Sequence, residues 1–417
     1  MTRRLVLAYS GGLDTSVAIH WLSERGWEVY ALAVDLGENK DLDSIQRRAL
    51  QRGARASFVV DARDIFLRRF VWPSLQAGAL YEGQYPLATA LGRPLIAKLM
   101  VDLARQEGAV AVAHGCTGKG NDQVRFDVAT HALAPELEVV APVREWGMTR
   151  EEEIAYARTH GIEVPATVES PYSTDVNLWG RSIEAGILED PWEAPPAEVF
   201  AWTADAEAAP AKPAHVEVHF EAGEPTALDG EELAPVDLVE RLNALAGEHG
   251  VGRIDMVENR LVGIKSREIY EAPAAVVLST AHRALESITL AKDVVRFKET
   301  VANEWADLAY NGLWFSALRQ DLAAFVQSTQ AHVTGDVRLK LYRGGLQVVG
   351  RKSPDSLYRL ELATYGSGDT FDQASAKGFI DLWGLPVRTQ ATVQGLLGDG
   401  ADRSLLPPTM KRLESQA

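Results

Sequence analysis

The chain has 417 residues, of which 46% are hydrophobic, and a formal net charge of −16. This length and apolar content allow about two or three domains with substantial cores. The acidic balance argues against a nucleic-acid partner, because the phosphate backbone favours clustered lysine and arginine. The single cysteine, Cys116, excludes an intrachain disulfide framework. An apolar run at residues 5–9 is too short for a signal-peptide core or a membrane span, so we expect a cytoplasmic protein.

The first third of the chain alternates short β-rich runs with amphipathic helical stretches. The predicted strands cover residues 5–9, 28–34, 56–60, 109–113 and 138–141. The predicted helices cover residues 17–24, 42–52, 94–106 and 149–161, the last opened by a capping box of Thr149 and Glu152. This alternation predicts an α/β fold in which residues 1–165 form a doubly wound, parallel-sheet domain.

A different pattern follows a stretch rich in proline and alanine at residues 191–213, and we place the domain connection in or just before it. Strict alternation predicts a strand at residues 215–221, and a hairpin is predicted from strands at 337–342 and 346–350. Helices are predicted at residues 236–248, 274–291, 293–330 with a break at Asn311-Gly312, and 371–383. We assign residues 166–390 to an α+β domain with this C-terminal helix, and residues 391–417 to a flexible tail.

The run SGGLDTS, residues 10–16, joins the first predicted strand to the first helix. Paired glycines let backbone N–H groups close on an anion, and the helix N-terminus adds partial positive charge. Ser10, Thr15 and Ser16 add hydroxyl donors. Asp14 would repel a phosphate, so we interpret it as a ligand for Mg²⁺ beside the phosphates. The alternative is an ordinary strand–turn–helix connection, but the full heptapeptide favours a nucleotide phosphate site.

A second polar loop, GCTGKGNDQVRF at residues 115–126, follows the predicted strand that ends at Ala113. Ligands of doubly wound sheets sit at the carboxyl ends of the strands. Three glycines permit close backbone approach, and the side chains supply donors and acceptors suited to an amino acid; the alternative is a polar surface loop. We interpret Cys116 as structural rather than nucleophilic, because His114 is the only histidine near it in sequence.

These two runs, together with SPYSTDVNLWGRS (residues 170–182) and VENRLVGIKSREIYEAP (residues 257–273), resemble the argininosuccinate synthases in order and spacing. SGGLDTS alone resembles the pyrophosphate loop of the wider N-type ATP pyrophosphatases. The resemblance implies a ligase of arginine biosynthesis that joins citrulline to aspartate, cleaving ATP to AMP and pyrophosphate through citrullyl-AMP. It also implies that residues 166–390 form a synthetase and oligomerisation domain of a homotetramer.

The predicted helices carry several large apolar side chains that would suit a subunit interface. The alternative is that these side chains pack within the chain. The residues concerned are Trp305, Leu308, Leu313, Trp314 and Phe315.

The resemblance further implies roles for individual residues. The ATP-binding positions are Ala8, Tyr9, Ser10, Gly11, Gly12, Leu13, Asp14, Thr15, Ser16, Val34 and Gly115. The aspartate-binding positions are Thr117, Asn121 and Asp122. The citrulline-binding positions are Tyr85, Asn121, Arg125, Ser173, Ser182, Glu258 and Tyr270. Asp14 and Asp122 are the candidate catalytic residues, and Asp14 is the candidate metal ligand.

Residue chemistry supports some of these roles more than others. The guanidinium fork of Arg125 suits a carboxylate. Glu258 suits a cationic or N–H-rich group, although an exposed charge near a strand end is the alternative. Tyr270 fits core packing equally well, and the serines at 173 and 182 carry no information by themselves.

The chain departs from the family pattern at one citrulline contact. The family has Thr-Ser where this chain has Thr89-Ala90, and that serine contacts citrulline. Our hypothesis is that Thr89 supplies the missing hydroxyl; the alternatives are that it caps a helix or faces the core.

Three other functions compete with the ligase. A tRNA-modifying enzyme of the same superfamily usually needs a basic face and, for thiolation, catalytic cysteines. A nucleotide-binding module of the universal-stress type leaves most of the chain without a role. A ligase that uses glutamine-derived ammonia needs an amidotransferase segment, and none is evident.

Overall fold

The computed structural model describes residues 3–38, 40–163, 171–395 and 409. The chain divides into two compact units, Met1–Leu357 and Tyr358–Ala417. Most of the predicted tail lies outside the described residues. Its first four residues, 391–394, continue a helix instead.

The elements up to residue 163 are β1 Arg3–Ala8, α1 Leu13–Glu24, β2 Trp27–Asp35, α2 Leu42–Gln51, β3 Ala56–Asp61, α3 Arg63–Phe66, α4 Trp72–Ala77, α5 Ala88–Glu107, β4 Ala111–Ala113, α6 Asp122–Leu133, β5 Glu138–Val140, α7 Pro142–Trp146 and α8 Arg150–Thr159. A π-helical turn, Leu67–Val71, joins α3 to α4. The five strands form a parallel sheet, as predicted, and their order is β3-β2-β1-β4-β5.

Both faces of this sheet are buried. Leu5 and Leu7 belong to a core with residues of α1 and α2, whereas Val6 and Leu32 belong to a core with residues of α5 and α6. Successive side chains of a strand point to opposite faces, so a sheet covered on both sides needs apolar residues at nearly every position. This explains the continuous apolar runs in the sequence.

Helix α5 begins six residues earlier than predicted, at Ala88 instead of Pro94. Proline disfavours a helix interior because it lacks the N–H donor, which is why the sequence pattern placed the start there. In the structure the hydroxyl of Tyr85 accepts a hydrogen bond from the backbone N–H of Thr89 (2.9 Å), and Ala90 and Pro94 are buried in the core. Thr89 and Ala90 therefore lie in the first turn of a helix.

The elements from residue 171 to 357 are β6 Ser173–Asn177, β7 Gly180–Glu184, β8 Ala214–Glu221, β9 Glu224–Leu228, β10 Glu231–Glu232, α9 Pro235–Glu248, β11 Arg253–Asn259, β12 Lys265–Glu271, α10 Pro273–Thr289, α11 Lys292–Tyr310, α12 Ala317–Gln330, β13 Gly335–Tyr342 and β14 Gly345–Lys352. The strands form two antiparallel sheets, ordered β10-β9-β8-β13-β14 and β11-β12-β7-β6. The predicted α+β arrangement is confirmed, and the predicted hairpin is β13–β14.

The apolar load on α11 and the turn after it packs within the chain. Trp305 is fully buried, and Leu308 and Trp314 are also buried. Leu313, by contrast, is 39% exposed. Our expectation that these residues cover a subunit interface was therefore wrong for the three buried ones.

The second compact unit contains three described helices, α13 Leu360–Ala363, α14 Ser375–Trp383 and α15 Leu385–Gln394. The helix predicted from residue 371 begins at Ser375. None of the residues in these helices is buried. Among all described residues, no helix is both long and apolar enough to cross a membrane.

The capping box predicted for α8 is present, and its contribution can be measured. The hydroxyl of Thr149 accepts from the N–H of Glu152 (3.3 Å), and the Glu152 carboxylate accepts from the N–H of Thr149 (2.8 Å). Thr149→Ala should destabilise the start of α8 by about 0.5–2 kcal/mol. We expect faster amide hydrogen exchange in the first turn of α8, while Thr149→Ser keeps the wild-type rate. Equal exchange in the alanine variant and the wild type would show that the cap contributes nothing.

Candidate functional site

The predicted phosphate loop wraps the N-terminus of α1 beside an open cleft of ≈ 350 Å³. Gly11 adopts φ +77°, a conformation that favours glycine. The hydroxyl of Ser10 accepts from the N–H of Gly12 (3.3 Å) and lies 3.2 Å from the hydroxyl of Thr15. Hydroxyls, backbone donors and a helix N-terminus therefore converge on the cleft, as phosphate binding requires.

Seven of the nine predicted loop residues line the cleft, and Gly11 and Ser16 do not. Ser16 is fully buried and donates to the carbonyl of Gly12 (2.5 Å). It also accepts from Arg52 (2.7 Å), which in turn donates to the hydroxyl of Tyr9 (2.5 Å). Ser16 therefore stabilises the conformation of the loop through hydrogen bonds on its buried side.

The other two predicted nucleotide positions, Val34 and Gly115, also line the cleft. Val34 lines the cleft with Leu32, Ile96 and Phe126, which together give an apolar wall suited to a flat base. A Cβ atom on Gly115 would lie 2.9 Å from Cγ2 of Thr15. The two loops thus approach so closely that the position requires glycine.

Asp14 is held by a residue that the sequence analysis did not identify. Arg150, the first residue of α8, donates to Asp14 (2.6 Å) and to Glu153 (3.2 Å). Glu153 is buried, and burial together with the charge of Asp14 raises its pKa to about 8. Arg150 and Asp14 are 136 residues apart, so only the packing of α1 against α8 reveals the pair.

The second predicted loop brings Asp122 between two arginines. Asp122 accepts from Nε of Arg93 (2.9 Å) and from Nη1 of Arg125 (2.8 Å). Burial acts to raise the pKa of Asp122, but the two guanidinium groups overcome it and lower the pKa. Asp122 is therefore a carboxylate at neutral pH and a weak base.

Arg93 connects this loop to the four-stranded antiparallel sheet. Besides Asp122, it donates to Asp175 on β6. Both Arg93 and Asp175 line the cleft at the phosphate loop. The cleft thus extends from the nucleotide positions to β6, although none of the predicted citrulline positions is among the residues that line it.

The register of that sheet places four predicted residues on one face. Ser182 lies directly opposite Asp175 on β6 and Tyr270 on β12. Opposed residues, and every second residue along a strand, share a face. Ser173 lies two residues before Asp175 on β6. Glu258 on β11 pairs with Ser266 on β12, which lies four residues before Tyr270. Ser173, Ser182, Glu258 and Tyr270 therefore face the same way.

Two phenols orient the buried carboxylate of Glu258. It accepts from the hydroxyls of Tyr270 (2.7 Å) and Tyr310 (2.6 Å). Burial raises the pKa of Glu258, although both hydrogen bonds oppose this effect. Tyr270 also stacks on Tyr85, with ring centroids 4.2 Å apart. The two interpretations of Tyr270 are thus compatible, because it packs in the core and contacts the site.

Tyr310, which the sequence analysis missed, joins the loop residues to this face. Its hydroxyl accepts from Asn121 (2.8 Å), and its carbonyl accepts from Nε of Arg125 (2.9 Å). The guanidinium of Arg125 also lies 4.8 Å from the centre of the Tyr310 ring. No sequence pattern marks this residue, because it ends a helix nearly 200 positions downstream.

The remaining predicted residues lie at the edges of the site or in its core. Thr117 is exposed in the second loop, Thr89 is half-buried, and Ala90 is fully buried. Cys116 lines the cleft, and burial, reinforced by the charge of Asp122, raises the pKa of its thiol. A protonated thiol agrees with a structural role.

Two family models match most of the chain. Residues 4–163 match the model of the arginosuccinate synthase N-terminal HUP domain, and residues 172–390 match that of the arginosuccinate synthase C-terminal domain. Argininosuccinate synthase of Rubrobacter xylanophilus is 61% identical over 391 residues, which cover 94% of this chain and 96% of the relative. That of Dehalococcoides mccartyi is 58% identical over 398 residues, covering 95% and 98%. The resemblance found in four sequence motifs is thereby confirmed, and the chain belongs to the argininosuccinate synthase family.

Proposed function

We propose that the chain joins citrulline to aspartate, forming argininosuccinate and cleaving ATP to AMP and pyrophosphate. The observation that carries this proposal is the position of Arg93. It lines the nucleotide cleft and binds both Asp122 of the second loop and Asp175 of the antiparallel sheet. Positions for a nucleotide and for two amino acids therefore adjoin one another.

ATP lies along the cleft in this proposal. Its phosphates take the backbone donors and hydroxyls of the SGGLDTS loop, and its base lies against the apolar wall at Val34. The acidic chain binds cytoplasmic metabolites rather than nucleic acid, and a cytoplasmic location is part of the proposal.

The proposal includes Mg²⁺ beside the phosphates, and the residues fit a hard cation. Asp14 lines the cleft together with Ser10 and Thr15, and a carboxylate beside two hydroxyls supplies oxygen ligands of the kind that Mg²⁺ prefers. When bound, the ion neutralises charge that develops on the phosphates. Arg150 is a second cation here and releases Asp14 if the ion takes its oxygen.

Aspartate takes Thr117, Asn121 and Asp122. Because Asp122 is held ionised by two arginines, it suits the α-ammonium of a substrate as a hydrogen-bond acceptor. Its lowered pKa makes it a poor general base, so its role in our proposal is to orient the amine.

Citrulline takes the face formed by Ser173, Ser182, Glu258 and Tyr270, with Arg125 at its edge. The guanidinium of Arg125 suits the α-carboxylate, and Glu258, already accepting from two phenols, suits the α-ammonium. Such a clamp leaves the neutral ureido end free to point towards the α-phosphate.

The chemistry follows from the weakness of the ureido oxygen as a leaving group. Attack by this oxygen on the α-phosphorus releases pyrophosphate and gives citrullyl-AMP. The aspartate amine then attacks the ureido carbon, and AMP leaves with the oxygen. Placing three substrates next to one another supplies much of the acceleration. No covalent enzyme intermediate is needed, in keeping with the protonated thiol of Cys116.

An isotope experiment tests the proposed reaction. Citrulline carrying ¹⁸O in its ureido group should transfer the label to AMP, and AMP should form only when citrulline is present. Asp14→Asn should reduce turnover without changing the fold. Asp43→Asn, in the first turn of α2, is the matched control and should leave turnover unchanged. ADP as the product, or AMP without the label, would contradict the proposed mechanism.

Thr89 supplies the hydroxyl that the family serine at position 90 would provide. Ala90 has no exposed surface, whereas the half-buried Thr89 lies in the same helical turn beside Tyr85. Thr89→Val keeps the shape and removes the hydroxyl. One neutral hydrogen bond is worth about 0.5–1.5 kcal/mol, so the KM for citrulline should rise by roughly 2- to 12-fold. The KM values for ATP and aspartate should stay constant, and Thr89→Ser should retain the wild-type value for citrulline. An unchanged citrulline KM in a folded valine variant would eliminate this contact.

The proposal also includes a homotetramer, supported by the second compact unit. Its helices expose large apolar side chains that a subunit contact would cover, among them Phe379, Ile380, Leu382, Trp383 and Val393, each at least 62% exposed.

Light scattering at micromolar concentration should therefore give four times the chain mass of 45.5 kDa. Ile380→Asp should shift the mass downwards, because a charge on a covered apolar surface is costly. Leu50→Asp, at an exposed leucine of α2, is the control and should leave the mass unchanged. A wild-type monomer would refute the assembly.

A further inference from the structure

A group of three potential metal ligands lies outside the proposed catalytic site. His20 and Glu24 are one turn apart on α1, and His160 directly follows α8. One ring nitrogen of each histidine and one carboxylate oxygen of Glu24 lie within 4.8 Å of one another. Within the part of the chain that the structure describes, no other trio of His, Cys, Asp or Glu converges in this way.

Hydrogen bonding leaves one nitrogen of His160 ready to bind a metal ion. Nδ1 of His160 lies 2.8 Å from the carbonyl oxygen of Tyr156, and a carbonyl only accepts, so Nδ1 carries the proton. Nε2 therefore carries the free lone pair, and it lies 3.9 Å from Oε1 of Glu24. Donation of the second ring N–H to a backbone carbonyl is the usual way in which proteins orient a metal-binding histidine.

Tyr156 orients the other two side chains as well. Its hydroxyl donates to Glu24 (2.7 Å) and lies 2.9 Å from Nδ1 of His20. Because the single phenolic hydrogen goes to Glu24, Nδ1–H of His20 is the donor in the second contact, which leaves Nε2 as the ring nitrogen available to a metal ion.

We propose that His20, Glu24 and His160 bind one Zn²⁺ ion, with solvent completing its coordination. Two imidazoles and one carboxylate form a ligand set that zinc accepts, whereas Mg²⁺ and Ca²⁺ prefer oxygen ligands alone. The two imidazole side chains are each 29% exposed, so an ion reaches them from solvent. Nε2 of His160 lies 3.9 Å from Oε1 of Glu24, and the three groups lie within 4.8 Å of one another. Because tetrahedral Zn–N bonds of roughly 2.0–2.1 Å set ligand atoms closer together than this, the three side chains must move towards one another when the ion binds.

The site would join two helices that also meet at the nucleotide cleft. The first turn of α1 carries Asp14 and the first residue of α8 is Arg150, and these two side chains pair at 2.6 Å. The metal ligands lie at the other ends of the same helices. An ion there would fix α1 against α8 behind the phosphate loop, whatever substrate the cleft binds.

The test uses the full chain, freed of metals with a chelator, without nucleotides or amino acids. Co²⁺ serves as the spectroscopic probe because, unlike Zn²⁺, it absorbs visible light. One equivalent of Co²⁺ should give visible bands that one equivalent of Zn²⁺ abolishes. His160→Ala and Glu24→Gln should each weaken zinc binding at least 10-fold. His131→Ala, at an exposed histidine of α6, is the matched control and should bind as the wild type does.

Tyr156→Phe separates orientation from direct binding. It keeps the ring and all three ligands but removes the hydroxyl that holds Glu24 and His20, so affinity should fall by about 10- to 100-fold. Circular dichroism confirms that each variant is folded. The proposal is overturned if the wild type gives no visible bands at micromolar metal, or if His160→Ala binds zinc as tightly as the wild type.

Discussion

The amino-acid half of the site depends on the guanidinium of Arg93. This side chain is only 16% exposed and pairs with two carboxylates, Asp122 on α6 and Asp175 on β6. Removing it would leave two acidic groups close together in a poorly solvated place, which is costly. Removing Asp122 or Asp175 would leave the Arg93 guanidinium with only one of these two carboxylate partners. The pairing therefore positions a helix of the parallel-sheet domain against a strand of the antiparallel sheet.

A second constraint is how closely the two loops approach each other at the carboxyl ends of β1 and β4. Gly115 faces the side chain of Thr15, and even one additional carbon would come within 2.9 Å of it. Since β1 and β4 are neighbours in the sheet, their loops emerge side by side. The loop after β1 and the loop after β4 are thus adjacent because their strands are neighbours in the sheet, as in other doubly wound folds.

Aromatic packing connects the proposed citrulline-binding face, formed by Ser173, Ser182, Glu258 and Tyr270, to the helical part of the chain. Tyr81 stacks on Tyr310 with ring centroids 3.6 Å apart, and Tyr85 stacks on Tyr270. Both Tyr270 and Tyr310 then donate to Glu258. The rings fill space that would otherwise admit water, and their hydroxyls satisfy the buried carboxylate. One group of tyrosines thereby serves the core and the site together.

Helices α1 and α8 pack together and bring charged or metal-binding types of side chain close to one another at both ends of the pair. Asp14 and Arg150 meet at their first turns, and His20, Glu24 and His160 gather at their last. Because the two helices run parallel, their N-terminal ends lie together and their C-terminal ends lie together. Side chains far apart in sequence are therefore in contact at both ends of the pair. The same two helices therefore connect the SGGLDTS loop with the group of His20, Glu24 and His160.

The sequence by itself determined the local features of this protein. Apolar runs predicted the strands of the parallel sheet, the SGGLDTS loop predicted a nucleotide site, and Thr149 with Glu152 predicted the start of α8. All three signals are local, because periodicity, glycine spacing and capping act within a few residues. Four motifs also identified the family. Only the tertiary structure revealed Arg93, Arg150 and Tyr310 as partners of the predicted residues, showed Trp305 and Trp314 packed inside the chain, and moved the start of α5 from Pro94 to Ala88. Each of these depends on burial or ion pairing between segments distant in sequence, and no local pattern encodes which segments will meet.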